Sequence, residues 1–246
     1  MASRILINGA KGRMGNALLR AVENAGHKTS AALDLGDSLE PALTECDVAI
    51  DFSFHDATLP LARAAAAAGK ALVIGTTGHT DEEKRAIREA VAPVPVVWAG
   101  NYSVGINLLY HLTETAAGIL GLDYNAEIVE MHHRHKKDAP SGTAEGLVQS
   151  LQNVLALADG EVRHGRSGLT GERPRREIGV HALRGGDVVG DHTVHFAGEG
   201  ERIELTHRAS DRAVFASGAV RAALWVIGRE PRIYDMRDVL GIGKSS

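Results

Sequence analysis

The chain has 246 residues, 44% of them hydrophobic and 24% charged, with a net charge of −4. That length and balance are enough for a sizeable core, and they set aside disorder, a fibrous fold and a basic nucleic-acid footprint. One cysteine, Cys46, cannot form an intrachain bridge, the most apolar stretch is interrupted by Arg63 and Lys70, and the start MASRILING has no leader-like apolar region. The expectation is a cytoplasmic protein with neither membrane nor nucleic-acid partners.

The first hundred residues alternate short β-branched runs with amphipathic or alanine-rich segments, the rhythm of a parallel sheet with crossover helices. Strands are expected at Arg4–Ile7, Lys28–Leu33, Val48–Phe52, Ala71–Gly75 and Val94–Ala99, with helices at Met14–Asn24, Asp56–Ala68 and Asp81–Val91. Thr80 suits the N-cap of the third helix, ahead of an acidic first turn, and Gly69 stops the second. Beyond Asn101 a long helix is expected over Val104–Leu120, then a strand at Glu127–Met131, a histidine-rich loop, and a helix from Thr143 to about Leu157. Gly160–Arg176 reads as a loop. Three further strands, Ile178–Leu183, Asp187–Ala197 and Arg202–Arg208, are separated by glycine turns and read as antiparallel neighbours. A helix over Arg212–Ile227 and a short tail around Met236–Leu240 follow. The fold expected is α/β: a Rossmann-type, doubly wound parallel sheet built from 1–103 with 212–246, and an α+β domain with a mixed sheet from 104–211.

The segment GAKGRMG follows the apolar run Ile5-Leu6-Ile7 and opens a helix, the strand–turn–helix context of a dinucleotide site. Glycine permits the tight turn and close approach to a pyrophosphate, and the helix start favours the anion. Gly9, Ala10, Lys11, Gly12, Arg13, Met14 and Gly15 are therefore candidate cofactor residues. Asp34, at the end of the second strand, can accept both hydroxyls of an adenosine ribose. Leu35 follows it where an arginine would neutralise a 2′-phosphate, which favours NADH, while Lys11 pulls the other way; NADH or NADPH is the expected cofactor. Two more loops follow strands on the same sheet edge, Gly75-Thr76-Thr77 and Ala99-Gly100-Asn101-Tyr102, and suit a nicotinamide. Taken singly, each is also an ordinary turn.

The densest chemistry lies in EIVEMHHRHKKDAPSGTA, Glu127–Ala144, where three of the twelve histidines crowd one segment. Strand alternation puts Ile128, Glu130 and His132 on one side and Val129, Met131 and His133 on the other. With GAKGRMG, DFS at Asp51–Ser53, GTTG, AGNYSVGIN, the stretch from Arg184 to Phe196 and the late DMRDVL, this segment resembles the 4-hydroxy-tetrahydrodipicolinate reductase family of lysine biosynthesis, in order and over nearly the whole chain. The resemblance implies an NAD(P)H-dependent oxidoreductase acting on a small dicarboxylate and assembled as a homotetramer through its second domain. It implies His132 as proton donor, Lys136 as the catalytic or binding cation, and His133, Gly142 and Thr143 as holders of substrate carboxylates, with Ser141 a cap. Two departures stand out. Lys137 adds a cation with no assigned role, and the stretch from Leu35 to Cys46 is short.

Other readings stay open on the residues alone. The histidines can serve as zinc ligands, but their tandem spacing lacks both His-Glu-x-x-His and a cysteine pair, so a site would need distant partners such as His181, His192 or His195, which suit structural roles better. No metal is expected. A non-catalytic NADH sensor would use the same glycine turn without the His-His-x-x-Lys segment, and a metal-dependent hydrolase on a Rossmann-like scaffold would need the metal.

Overall fold

A computed structural model describes residues 2–242; Met1 and 243–246, at the two ends of the expected nucleotide domain, lie outside them. The chain divides into two compact units, Met1–Val104 with Arg212–Ser246, and Gly105–Asp211.

The first unit is a six-stranded parallel sheet in the order β11-β5-β4-β3-β1-β2. Its strands are β1 (Arg4–Asn8), β2 (Lys28–Leu33), β3 (Val48–Asp51), β4 (Ala71–Ile74), β5 (Val96–Trp98) and β11 (Ile233–Tyr234). β3 and β4 are buried throughout, as strands covered on both faces must be, and their sequences VAID and ALVI show it. Helices α1 (Arg13–Asn24) and α7 (Ala213–Val226) close one face around Ile5, Ile7, Val48, Ile50 and Val73. Helices α2 (Leu39–Thr44), α3 (His55–Ala67) and α4 (Asp81–Ala90) close the other around Leu6, Ala49, Leu72 and Ile74. Thr80 caps α4 in a reciprocal box with Glu83. From β1 the chain runs to one edge for β2 and returns to the other side of β1 for β3, so the order reverses between β1 and β3. In open parallel sheets, ligands bind outside the carboxyl ends of the strands at that point.

The second unit carries α5 (Val104–Leu120, beginning at the unit boundary), α6 (Gly142–Leu155) and a mixed sheet in the order β10-β9-β6-β8-β7. Its strands are β6 (Asn125–His132), β7 (Val162–His164), β8 (Ile178–Arg184), β9 (Gly190–Ala197) and β10 (Arg202–Ala209). The core gathers Ile106, Leu109, Ala126, Ile128, Leu147, Leu151, Val194 and Phe196. Two sequence expectations are corrected here. β9 and β10 pair antiparallel, but β8 does not pair with β9: β6 lies between them, parallel to β8 and antiparallel to β9. The turn joining β8 to β9 instead wraps the end of β6, with Gly185 N–H donating to His132 O, His133 N–H to Val188 O and Arg134 N–H to Gly186 O. The expected loop Gly160–Arg176 contains β7, and the rest is tied down by Arg166 and Arg173, which both donate to Glu127. Burial pushes the Glu127 carboxyl up, but hydrogen bonds from Arg166, Arg173 and His181 outweigh that and bring it down to about 2.

Candidate active site

In the first unit the glycine turn sits at the carboxyl end of β1. Gly9 has φ +84°, and a Cβ there would lie 2.3 Å from Phe52 O; a Cβ on Gly15 would lie 2.2 Å from Gly9 O. Only glycine lets the turn fold this tightly. Gly9 and Ala10 both donate their N–H to Leu33 O, which ties the turn to β2. Gly12 opens α1 with no side-chain cap, and the first turn holds no acidic residue. A helix start so arranged suits a pyrophosphate. Lys11 and Arg13 are exposed and Met14 half-buried beside it.

Asp34 stands against the same turn, accepting from Lys11 N at 2.9 Å and Leu35 N at 2.9 Å. Those backbone bonds, Leu35 first, hold its carboxyl below the usual range. Each oxygen retains a second lone-pair site for a ribose hydroxyl. Behind the turn, Asp51 is fully buried and accepts from Asn8 Nδ2 (2.9 Å), Ser53 Oγ (2.5 Å), Thr58 Oγ1 (2.7 Å) and Thr76 Oγ1 (2.9 Å). Thr76 also accepts from Ser53 N, so the turn after β4 is locked to the turn after β3. Gly75 lies over the Phe52 ring with no room for a Cβ, and Thr77 is exposed. Ala99, Gly100 and Asn101 lie at the carboxyl end of β5, where Asn101 Oδ1 accepts from Ser103 N. The Tyr102 side chain is in the core, 1% exposed, its hydroxyl against Ile74 O and Val97 O, so its backbone is what this loop offers. The cradle, the uncapped helix start and the acid after β2 together fit a dinucleotide.

In the second unit His132 ends β6, 9% exposed, with Nδ1 2.6 Å from Glu130 Oε2. Glu130 is fully buried and accepts three further bonds, from Arg184 Nη1 (2.8 Å), Arg184 Nη2 (2.8 Å) and Ser141 N (3.1 Å). Burial pushes the Glu130 carboxyl up, and hydrogen bonds from Arg184 and His132 more than reverse it. Arg184 Nη2 reaches on to Asp138 O at 2.7 Å. Asp138 in turn holds the Lys136 ammonium with both oxygens, at 3.0 and 2.8 Å. Ser141 caps α6, its Oγ accepting from Ala144 N and lying 3.1 Å from His192 Nε2. Gly142 and Thr143 form the first residues of that helix. The His132 and His192 rings meet edge to face at 5.1 Å, and burial pushes His192 down to about 4. His133 leaves the strand on the opposite side, half-buried, with its ring 6.2 Å from His135. Lys137 is exposed.

His132, Lys136 and Ser141 thus share one hydrogen-bonded assembly, and Gly142 and Thr143 follow Ser141 as the first residues of α6. Sequence reading named neither Glu130 nor Arg184 as a site residue. The signal for Glu130 was present: a charged residue alternating with Ile128 and His132 falls on the inward face of a strand, where an ionised group needs partners. Arg184 becomes visible only when β8 pairs with β6, setting His132 opposite Arg184.

A doubly wound sheet with a dinucleotide cradle at its switch point, accompanied by a unit bearing a histidine and lysine assembly, defines an NAD(P)H-dependent oxidoreductase. More particularly, the chain belongs to the dihydrodipicolinate reductase family. The family model for the dihydrodipicolinate reductase N-terminus matches residues 3–102 and that for its C-terminus residues 105–240. A 4-hydroxy-tetrahydrodipicolinate reductase of Akkermansia muciniphila is 56% identical over 242 residues, covering 98% of each chain. One from Acinetobacter baumannii is 48% identical, covering 98% of this chain and 97% of its own. Among solved structures, the dipicolinate-bound dihydrodipicolinate reductase of Paenisporosarcina sp. TG-14 superposes with a TM-score of 0.77 at 25% identity, over 96% of this chain and 98% of that one.

Proposed function

We propose that the chain reduces 4-hydroxy-tetrahydrodipicolinate, or the dihydrodipicolinate formed from it, to tetrahydrodipicolinate in the diaminopimelate route to lysine, with His132 and Lys136 as its catalytic groups. The names its relatives carry support the reaction, and the dipicolinate in the Paenisporosarcina relative supports a small cyclic dicarboxylate as substrate. The nicotinamide supplies the hydride when bound. Charge then develops on the substrate ring, and a cation with a proton source stabilises it. Lys136 presents the cation and His132 delivers the proton from Nε2. His133, with Gly142 and Thr143 at the α6 N-terminus, holds the substrate carboxylates, and Ser141 fixes that helix start. In the first unit Gly9, Ala10, Lys11, Gly12, Arg13, Met14 and Gly15 take the pyrophosphate, Asp34 the ribose diol, and the loops Gly75-Thr76-Thr77 and Ala99-Gly100-Asn101-Tyr102 the nicotinamide.

The observation that carries this reading is the joining of His132, Lys136 and the α6 N-terminus through Glu130, Arg184 and Asp138. A homotetramer assembled through the second unit fits the face of its sheet turned away from the helical core, where Leu183 is 49% exposed. A cytoplasmic address fits the single, unbridged and buried Cys46. The test generates the unstable substrate in situ from pyruvate and aspartate semialdehyde with its synthase, and follows NADH and NADPH absorbance in parallel. Oxidation that depends on this protein is expected, and the two rates rank the cofactors. Tight NADH binding with no oxidation would make the chain a nucleotide sensor instead.

A further inference from the structure

Glu130 touches three parts of the second unit that are separate in sequence. Oε2 takes His132 Nδ1 and Arg184 Nη1, while Oε1 takes Ser141 N and Arg184 Nη2. Each oxygen therefore accepts two bonds, the full complement of an ionised carboxylate and one that a protonated acid could not keep. A buried carboxylate with a bidentate guanidinium is a fixed anion, and a short bond from an imidazole to such an anion settles which ring nitrogen carries the proton.

From this geometry we propose that Glu130 is a positioning residue for the reaction: it holds the Nδ1–H of His132, so that when the ring is protonated the proton delivered to substrate is the one on Nε2 and the ring left behind is the neutral Nδ1–H tautomer, and it registers Nε2 with the α6 N-terminus through Ser141. The proposal rests on the reading of His132 as the proton donor. In the transfer the Nε2–H bond breaks, the proton goes to the substrate atom carrying the charge that the hydride delivered, and the electron pair stays on Nε2. His132 is left neutral with Nδ1–H still donated to Glu130, and a proton from water then restores it. Nothing in the assembly has to reorient during that cycle.

The charged and titratable groups around His132 fit this role. On β6 itself stands Glu130; from β8 comes Arg184, from β9 His192, and from the loop before α6 the Lys136–Asp138 pair. His192 can accept from the Ser141 hydroxyl at Nε2 while neutral, so it adds no charge beside His132. Lys136 is matched by Asp138 and Arg184 by Glu130. His132 Nε2 has no partner among the described residues and faces Gly190, where a Cβ would come within 3.0 Å of it. Glycine at 190 leaves that nitrogen uncovered.

The test measures kcat against pH at saturating NADH for the wild-type chain, Glu130→Gln, Glu130→Asp and His132→Gln, together with NADH affinity. An acid catalyst loses activity as pH rises through its pKa. Removing the anion while Arg184 stays lowers that pKa, so Glu130→Gln should shift the high-pH fall to lower pH by about one unit and lower kcat by ~100-fold, with NADH affinity unchanged. Glu130→Asp, which keeps the charge, should restore part of both. A uniform drop in kcat with the inflection unmoved, or a drop of less than about threefold, would overturn the proposal. His132→Gln separates the two readings: an inflection that survives this change removes His132 as the acid, whereas one that vanishes here yet stays put in Glu130→Gln removes Glu130 alone. Should Glu130→Gln fail to fold, nitrogen-15 NMR of the histidine-labelled wild-type protein decides, with His132→Gln assigning the resonance. Neutral His132 protonated at Nδ1 is expected, and protonation at Nε2 would overturn it.

Discussion

Lys136 is a paired cation, its side chain 20% exposed and its ammonium shared between the two oxygens of Asp138. An ammonium has three protons, so one remains for a substrate while the pair fixes its direction. On the proposed role, Lys136→Ala removes the cation that faces the negative charge developing on the substrate, and turnover should fall by about 100- to 1,000-fold, as when a positioned electrostatic donor is lost. NADH affinity should stay within twofold, because the proposed cofactor turns belong to the first unit and Lys136 to the second; parallel kcat and titration measurements check both, and wild-type turnover in the variant would remove Lys136 from the chemistry. Asp34 makes the converse case. Its carboxylate is set by the backbone N–H of Lys11 in the glycine turn and that of neighbouring Leu35, so Asp34→Ala loses the proposed ribose acceptors and also loosens Lys11 and Leu35. NADH should bind roughly tenfold or more weakly, the cost of a lost hydrogen bond to a charged acceptor, with substrate KM at saturating NADH little changed. Unaltered NADH affinity in a fluorescence titration refutes the role.

Between elements, the buried carboxylate of Asp51 does in the first unit what long-range packing alone cannot: it joins the ends of β1 and β3, the start of α3 and the turn after β4 through four hydroxyl and amide donors. Asp51→Ala leaves the buried Thr58 and Thr76 hydroxyls without their acceptor and strips one from Asn8 and Ser53, and urea titration should show a loss of about 3–5 kcal/mol. A loss below about 1 kcal/mol would mean water or rearrangement satisfies them. These cross-connections are the part of the fold least legible in the sequence. Local periodicity placed β2 at Lys28–Leu33 and α5 at Val104–Leu120, and the acidic turn after Thr80 announced the α4 cap. It missed α2, β7 and β11, because elements of two to six residues carry too few side chains to display a period. It also took β8 and β9 for neighbours, since pairing partners are set by where the chain returns and not by which run comes next. At the site, glycine spacing marked the cradle because backbone geometry demands glycine there. Arg184 and Asp51 draw no role from the sequence because their meaning depends on partners distant along the chain, 54 residues for Arg184 with Glu130 and 43 for Asp51 with Asn8.

Over the whole molecule, histidines held neutral in the fold make stability depend on pH. Burial is the first cause lowering His79 in the first unit and His192 and His207 in the second, with His192 brought down to about 4. The ordinary value is 6.5, so between pH 6.5 and 4 the unfolded chain binds a proton at His192 that the fold refuses. Stability from this group is complete above pH 6.5 and declines as pH falls, by about 3 kcal/mol for a shift of this size in a group only 4% exposed. Glu127 continues the trend lower down: held at about 2 against an ordinary 4.5, it stabilises the fold above pH 4.5 and ceases to do so as pH falls towards 2. His55 works in the opposite sense, raised by Glu83, but it is exposed and screened. Acid should therefore weaken the protein well before its carboxylates titrate. Urea unfolding at about pH 7.5 and about pH 5 should show a clear drop for the wild-type chain, and His192→Gln should flatten it, because a glutamine can meet the Ser141 hydroxyl without taking up a proton in either state. Equal slopes in the two proteins would place the acid sensitivity elsewhere, with His79 and His207 next to be changed.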